Sequence, residues 1–437
     1  MNPYYHDYKK KLTTPEKAVE YLKDGDTLLH GMSIAEPPFL LDAIARRVRA
    51  NDLKNIKVFS FNPQKYVAET VCAPDLCDVI ESYSWFVSGS SRGSTFVGLT
   101  QYVPVYFHQI PKLIQETMSI DKTITITTVS PMDQTGFFSL GTCNDYTSIA
   151  IRRSRHVMVE VNENMPRVFG GSLVHISEID AIVENTQPLL EIFPPDPRPD
   201  DATIGKYIAE LIPDGACIQL GIGSLPNAIS PYLTNHKDLG IHTELFGPGM
   251  VDLIEKGIVT GKRKKLHPYK HIFAVAYGSQ NTFEFMNNNP SMESYPSSYV
   301  LNPSIISKND NMISINAILQ VDLYGQCNAE HLDGSQFSGV GGQLDFVRGA
   351  YNSKNGKSIL AFYSTAKDGN ISRVVPRLAE GTMVTTPRMD THYLATEYGI
   401  VNIKGKSTRE RALAIISIAH PDYRDDLMRE AENMYLL

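Results

Sequence analysis

The chain has 437 residues, and its 41 lysines and arginines against 48 aspartates and glutamates give a formal net charge of −7. At about 150 residues per domain, this length predicts two or three domains, or two large α/β domains. Hydrophobic residues at 42% and charged residues at 20% are typical of a globular protein and exclude collagen-like and disordered classes.

The composition and the sequence also limit the possible binding partners and the cellular compartment. The acidic balance argues against nucleic acid, whose partners carry a basic excess. No apolar run approaches the ~18 residues that span a bilayer, and the N-terminal segment lacks the apolar core of a secretory signal. The five cysteines show neither a disulfide framework nor a zinc spacing. We therefore expect a cytoplasmic protein that binds neither nucleic acid nor membrane.

The first half alternates predicted helices and strands. In chain order we predict a helix from Pro15 to about Lys23, a strand at Thr27–His30, an amphipathic helix after Pro38, and strands at Asn55–Phe61, Thr123–Thr128 and Val157–Val161. In the amphipathic helix, apolar residues recur at helical spacing, namely Leu40, Leu41, Ile44, Ala45 and Val48. This alternation predicts a mostly parallel sheet.

A proline-rich segment, 193–201, interrupts the pattern and predicts a linker between an N-terminal domain, 1–192, and a C-terminal domain, 202–437. The alternation then begins again. We predict a helix at Ile204–Ile212, a strand at Cys217–Leu220, a helix from about Leu225, a strand at Leu239–Phe246, and helices at Met250–Ile258, Thr408–Ala419 and Pro421–Met434.

The segment Gly221–Ala228 (GIGSLPNA) joins a predicted strand to a helix, with Ser224 as a candidate N-cap. Its backbone amides favour an anion or a developing negative charge. A dinucleotide loop would place an acid at the position of Glu244, but Pro226 replaces the third glycine of that fingerprint. A nicotinamide site, an acyl or CoA site and a structural turn all remain open on spacing alone.

Glu244 lies near the end of a predicted strand, on the face that also carries His242 and Phe246. Open α/β sheets bind ligands at this edge, so a functional carboxylate and an exposed strand-end glutamate are both possible. A second glycine cluster, Ser338–Phe346 (SGVGGQLDF), predicts an oxyanion-binding turn or, alternatively, a β-bulge or tight hairpin.

One further motif fails on its context. The segment Gly89–Gly93 matches the G-x-S-x-G pattern of a nucleophilic serine at Ser91. The residues that follow do not predict the helix that this pattern requires, so we do not assign Ser91 as a nucleophile.

Together these segments resemble the acetyl-CoA hydrolase/transferase family, and within it the 4-hydroxybutyrate and butyrate CoA-transferases. The resemblance is carried along nearly the whole chain by Gly221–Ala228, His242–Glu244, Ser338–Phe346 and Thr391–Gly399. It implies two CoA-transferase-type α/β domains with mostly parallel sheets, a homodimer, and a catalytic glutamate at Glu244 that forms a glutamyl-CoA thioester. No metal or redox cofactor is implied.

The resemblance also implies the reaction and the residues around it. The reaction is CoA transfer between short-chain acyl groups, 4-hydroxybutyrate or butyrate with acetate, and the alternative is hydrolysis of a short-chain acyl-CoA through the same intermediate. The oxyanion holes match Ile222, Gly341 and Gly342, and the CoA contacts match Gly221, Ile222, Gly223, Ser224, Leu225, Asn316, Gly341, Gly342 and Lys367. A non-catalytic CoA-binding protein and a nicotinamide oxidoreductase are the alternatives from other classes.

Overall fold

The structure is a computed structural model that describes residues 3–193, 195–221 and 223–437, apart from the side chains of Ser224 and Asn227. Contacts divide the chain into two compact units. The first comprises Met1–Phe193, Ile272–Val300 and Gln336–Gly339, and the second comprises Pro194–His271, Leu301–Ser335 and Val340–Leu437. The first unit thus contains two short segments from later in the chain, while the domain boundaries at 192 and 202 stay a prediction.

The regular elements before the proline-rich segment follow the predicted alternation. They are α1 (Tyr5–Lys11), α2 (Pro15–Ala18), β1 (Thr27–His30), α3 (Pro38–Arg49), β2 (Ile56–Phe61), α4 (Lys65–Glu69), β3 (Ile80–Phe86), α5 (Arg92–Phe96), β4 (Thr100–Tyr102), α6 (Ile110–Thr117), β5 (Thr123–Val129), β6 (Phe137–Ser139), α7 (Thr147–Ile151), β7 (His156–Val161), β8 (Phe169–Gly170), β9 (Leu173–His175) and β10 (Ala181–Glu184).

The remaining elements complete both units. They are α8 (Pro199–Ala209), β11 (Cys217–Leu220), α9 (Ser224–Asn227), β12 (Gly240–Phe246), α10 (Pro248–Glu255), β13 (His271–Ala276), α11 (Gln280–Met286), β14 (Met292–Ser294), α12 (Ser297–Val300), α13 (Pro303–Ile306), β15 (Met312–Ala317), β16 (Gln320–Asp322), β17 (Cys327–Asn328), β18 (His331–Leu332), β19 (Ser335–Gln336), α14 (Gln343–Asn352), β20 (Lys357–Ala361), β21 (Thr365–Ala366), β22 (Ile371–Ser372), β23 (Val374–Val375), β24 (Tyr393–Thr396), β25 (Gly399–Asn402), α15 (Thr408–Ser417) and α16 (Pro421–Asn433).

The first unit is built on a seven-stranded sheet in the order β10-β7-β5-β1-β2-β3-β4, and all six neighbouring pairs are parallel. Strand β5, which lies inside this sheet between β7 and β1, is buried along its whole length, as expected for a parallel sheet that is covered on both faces. The apolar face predicted for α3 is buried in the core of this unit.

In the second unit, six strands lie in the order β25-β24-β20-β15-β11-β12. The pairs from β24 to β12 are parallel, and only β24 with β25 is antiparallel. The predicted α/β class with mostly parallel sheets is therefore confirmed. Because parallel strands share their direction, the carboxyl ends of β12, β11, β15 and β20 meet at one edge of this sheet.

Several predicted boundaries are wrong. The helix predicted to reach Lys23 ends at Ala18 and continues as a 3-10 turn, Val19–Tyr21. Helix α8 starts inside the predicted linker, because proline is well tolerated at the first helical position, here Pro199. The helix predicted from Leu225 is the four-residue α9. A short helix, α5, does follow Ser91, contrary to the prediction. Within the described residues, no helix combines the length and the apolar composition needed to cross a bilayer.

Candidate active site

Glu244 lies on β12, whose seven residues are all buried. The side chain is only 7% exposed. The strand ends two residues later, at Phe246, and α10 begins at Pro248. The possibility of an exposed strand-end glutamate is therefore wrong. The fold removes this carboxyl group from water at the carboxyl end of a parallel strand.

The second glycine cluster supplies the hydrogen-bond donor that faces this carboxyl group. The backbone N–H of Gly342 donates to Glu244 Oε2 over 3.0 Å. Gly341 adopts a left-handed conformation (φ +54°), which glycine favours, and Gly342 is the N-cap of the ten-residue helix α14. A Cβ atom on Gly342 would lie 2.3 Å from Glu244 Oε2 and 2.3 Å from Leu301 Cδ2. The cluster is thus a helix N-terminus in which a glycine lets the backbone approach the Glu244 carboxyl group and Leu301 closely, and not a β-bulge or a hairpin.

The groups around Glu244 have opposing effects on the pKa of its carboxyl group. Burial, and to a smaller extent the negative charge of Asp345, raise the pKa of its carboxyl group, which is about 8 instead of 4.5. The hydrogen bond from Gly342 lowers the pKa, and the positive end of the α14 dipole favours the anion. Asp345 is itself buried, in the first turn of α14. The result is a carboxyl group that ionises late and, once ionised, is poorly solvated and strongly basic.

The neighbouring strands place two predicted CoA contacts beside Glu244. Strand β11 pairs with β12, which carries Glu244, and Gly221 directly follows the carboxyl end of β11. The register between β11 and β15 places Asn316 opposite Gly221. A Cβ atom on Gly221 would lie 2.6 Å from Asn316 Oδ1, so the two residues are in close contact. Gly221 and Asn316 therefore lie together at the carboxyl ends of β11 and β15, beside the strand that carries Glu244.

A reciprocal amide pair fixes the side chain of Asn316. Gln219 Nε2 donates to Asn316 Oδ1 over 3.1 Å, and Asn316 Nδ2 donates to Gln219 Oε1 over 3.2 Å. Both side chains are buried. The pair satisfies two amides that would otherwise be costly to bury, and it holds the orientation of Asn316.

The other predicted CoA contacts lie in two segments, the glycine-rich segment after β11 and the turn between β21 and β22. Gly223 has φ +129° and Leu225 is buried within α9. Ile222 lies outside the described residues, as does the side chain of Ser224. Lys367 is exposed in the turn between β21 and β22. The roles of these residues stay predictions.

The chain as a whole has counterparts among known proteins. Models of the N-terminal and C-terminal domains of acetyl-CoA hydrolase/transferase match residues 1–194 and 278–431. The chain belongs to the acetyl-CoA hydrolase/transferase family. The family resemblance drawn from the glycine clusters and from Glu244 is thereby confirmed.

Members of this family with similar sequences are CoA-transferases. The chain is 42% identical to succinyl-CoA:cyclohexane-1-carboxylate CoA transferase of Geobacter metallireducens, over 99% of this chain and 97% of that protein. It is 40% identical to 4-hydroxybutyrate coenzyme A transferase of Clostridium kluyveri, over 98% and 99% of the two chains. The crystal structure of RipA from Yersinia pestis superposes with a TM-score of 0.96 at 48% identity, over 99% of each chain.

Two residues of this site were missed by sequence reasoning. Asp345 lies within the second glycine cluster, but the sequence pattern does not indicate that its charge acts on Glu244. Gln219 was not singled out, although a polar residue within the apolar strand Cys217–Leu220 signals a buried partner. The residue patterns typical of this family point to the glycines and to Glu244, and not to the polar groups packed behind them.

Proposed function

We propose that this member of the family is an acyl-CoA:carboxylate CoA-transferase that uses Glu244 as its nucleophile. The substrates we propose are short-chain acyl-CoA thioesters, with 4-hydroxybutyrate or butyrate on one side and acetate on the other. The observation that carries the proposal is the hydrogen bond from Gly342 at the N-terminus of α14 to the buried Glu244 carboxyl group. It joins a desolvated nucleophile to a fixed donor.

The first half-reaction has two steps. Glu244 Oε attacks the thioester carbonyl carbon, the C–S bond breaks, and CoA leaves as a thiolate while an acyl-glutamyl anhydride forms. The thiolate then attacks the glutamyl carbonyl carbon, which releases the first carboxylate and leaves a glutamyl-CoA thioester. The second carboxylate reverses both steps, so that Glu244 is regenerated and the thioester bond is conserved. No metal or redox cofactor takes part in these steps.

The donor from Gly342 suits the glutamyl half of this chemistry. When the thiolate attacks the glutamyl carbonyl, negative charge develops on a glutamyl oxygen, and Gly342 N–H already bonds Glu244 Oε2. A fixed amide at such an oxygen typically contributes on the order of a hundredfold or more in rate. We assign Gly342 to the glutamyl oxyanion hole. Ile222 stays the candidate donor on the acyl side, and Gly341 supports the turn through its left-handed backbone.

Burial also favours transfer over hydrolysis. The glutamyl thioester would replace a carboxyl group that is almost entirely withdrawn from solvent, and water exclusion protects such an intermediate. We further propose, from the family resemblance, that the protein is a cytoplasmic homodimer.

Trapping the intermediate tests the proposal directly. The protein is incubated with butyryl-CoA, treated with borohydride, digested and analysed by mass spectrometry. We expect the side chain of Glu244 to be reduced to a primary alcohol, because borohydride reduces a thioester and leaves a free carboxylate unchanged. Glu255, exposed on α10, serves as the unmodified control. Absence of reduction at Glu244 in active protein would overturn the mechanism.

A second measurement separates transferase from hydrolase. Consumption of butyryl-CoA is followed with and without acetate. We expect turnover to require acetate and to yield acetyl-CoA in equal amount. Release of free CoA at the same rate without acetate would establish hydrolysis as the main activity.

A further inference from the structure

The N-terminus of α14 carries the hydrogen-bond donor to Glu244, but a glycine occupies the position whose side chain usually caps a helix. Gly342 is the N-cap residue and makes no side-chain cap hydrogen bond. Its backbone N–H instead donates to Glu244 Oε2 over 3.0 Å. Gly341 directly precedes it, and glycine restricts the backbone less than any other residue. A donor in such a segment keeps a fixed position only if neighbouring groups hold the segment in place.

The residue after Gly342 makes a fixed contact at this end of the helix. Gln343 is the first residue of α14, and its side chain is buried. Gln343 Nε2 donates to Thr386 Oγ1 over 3.0 Å. Thr386 is fully buried, so this hydrogen bond is shielded from competing water. The bond therefore joins the first turn of α14, which presents the Gly342 N–H, to a different part of the chain.

Thr386 is in turn anchored by its backbone and by its neighbour. Its N–H donates to the carbonyl oxygen of Cys327 on β17 over 3.0 Å, and its own carbonyl oxygen accepts from the N–H of Cys327 over 3.0 Å. The hydroxyl of Thr385 donates to Glu330 Oε1 over 3.0 Å and accepts from the N–H of Ala329 over 2.9 Å. These bonds tie the two threonines to β17 and to the residues that follow it, which makes them a rigid support for Gln343.

We propose that Gln343 and Thr386 are positioning residues for CoA transfer, whose hydrogen bond holds the Gly342 N–H against the Glu244 carboxyl group. This inference rests on the proposed function and on the assignment of Gly342 to the glutamyl oxyanion hole. An oxyanion donor is effective because it is aimed before the charge develops. A displacement of about 1 Å at a reacting centre can cost about a hundredfold in rate. The two side chains act through the backbone of Gly342.

A second contact between α14 and the same segment provides a matched control. Arg348 Nη2 donates to Asp390 Oδ2 over 3.0 Å. Arg348 lies more than one helical turn beyond Gln343, and its side chain is 43% exposed. An exposed ion pair contributes little to stability, and its loss leaves the first turn of α14 held. The bond between Gln343 and Thr386, by contrast, lies in the turn that faces Glu244.

The test measures acetate-dependent turnover of butyryl-CoA by the full-length protein and its variants. Thr386→Val and Gln343→Leu each remove the hydrogen bond and keep a side chain of similar size. We expect kcat to fall about 10-fold to 100-fold in either variant, because the donor is displaced from the developing charge, while KM for butyryl-CoA changes little. The double variant should be no worse than the poorer single variant, because both changes remove the same bond. Thr386→Ser keeps the hydroxyl and should retain most of the wild-type kcat.

Two further measurements separate positioning from general loosening of the fold. Arg348→Gln breaks the exposed ion pair and should match the wild type in kcat. Hydrogen exchange of the peptide 338–346, followed by mass spectrometry, reports on the first turn of α14 without turnover. Exchange should be faster in Thr386→Val and in Gln343→Leu, and unchanged in Arg348→Gln. If Gln343→Leu does not fold, Thr386→Val tests the same bond from its other partner by exchanging one hydroxyl for a methyl group.

Wild-type kcat in Thr386→Val would overturn the proposal. An equal loss of kcat in Thr386→Ser or in Arg348→Gln would also overturn it, because the hydroxyl bond would then not be the cause. Independent, multiplicative losses in the double variant would show that the two residues do not act as a pair. A wild-type protein that exchanges no CoA would contradict the proposed function itself, and that outcome is distinct from an active wild type with insensitive variants.

Discussion

Replacing Glu244 with glutamine should stabilise the protein at alkaline pH while abolishing its activity. The pKa of this carboxyl group is raised from 4.5 to about 8 in the folded state, mainly by burial. A carboxyl group with a raised folded pKa keeps its proton when the unfolded chain has already lost it. The free energy of unfolding therefore falls as pH rises between these two values, by about 1.36 kcal/mol per pH unit.

The magnitude follows from the two pKa values. Between pH 5 and pH 8, the wild type should lose about 3 to 4 kcal/mol of unfolding free energy through Glu244 alone. Glutamine does not ionise, so Glu244→Gln should lose none of this. The cost of burying the glutamine amide is the same at both pH values. It cancels when the difference between variant and wild type is compared across the range.

Urea denaturation at pH 5, 6, 7 and 8 measures this difference. The midpoint of Glu244→Gln should rise relative to wild type with each step in pH, and the protein should show no CoA exchange at any pH. Glu255→Gln, which changes an exposed glutamate of α10, should follow the wild type. A constant offset between Glu244→Gln and wild type across the range would refute the reasoning, because it would mean that the carboxyl group is not desolvated.

Four further substitutions test the groups around Glu244. Asp345→Asn removes a negative charge that raises the pKa of Glu244, so the rise of kcat/KM with pH should move to lower pH; an unmoved profile would contradict the assignment. Gly342→Ala places Cβ 2.3 Å from Glu244 Oε2, and kcat should fall about a hundredfold or more in a folded protein, whereas a loss under tenfold would argue against the oxyanion hole. Gln219→Leu leaves the Asn316 amide unpaired and should lower the free energy of unfolding by about 1–3 kcal/mol. Urea denaturation should show that adding Asn316→Leu costs less than the sum of the single changes, while strict additivity would contradict the pair.

The fold could be predicted from the sequence where the residue pattern of a segment agrees with its burial in the folded protein. Strands β1, β5 and β7 are short segments rich in apolar or β-branched residues, and the parallel sheet buries almost all of their residues. Predicted helix boundaries were wrong where one residue is compatible with two structures. Pro199, for example, can lie in a linker or begin a helix, and here it begins α8. The inclusion of residues 272–300 in the first unit depends on long-range packing, which local periodicity does not encode.

The candidate site, like the fold, could be predicted from the sequence only in part. Gly342 and Glu244 are separated by 98 residues, yet the sequence indicates both as candidates, Gly342 by its glycine cluster and Glu244 by its place near a strand end. The hydrogen bond between them is seen only in the structure.

The raised pKa of Glu244 both limits and enables the proposed chemistry. With a pKa of about 8, roughly a tenth of the carboxyl groups are ionised at pH 7, which lowers the concentration of the nucleophile about tenfold. The neutral majority form does not repel an incoming carboxylate or the CoA thiolate, although the chain carries a net charge of −7. The ionised minority is more basic than a solvated glutamate, and nucleophilicity rises with basicity. A site that needed only a strong anion would have placed a cation beside Glu244. Here a buried carboxylate, Asp345, lies close enough to raise the pKa, and the Gly342 amide at the N-terminus of α14 opposes it.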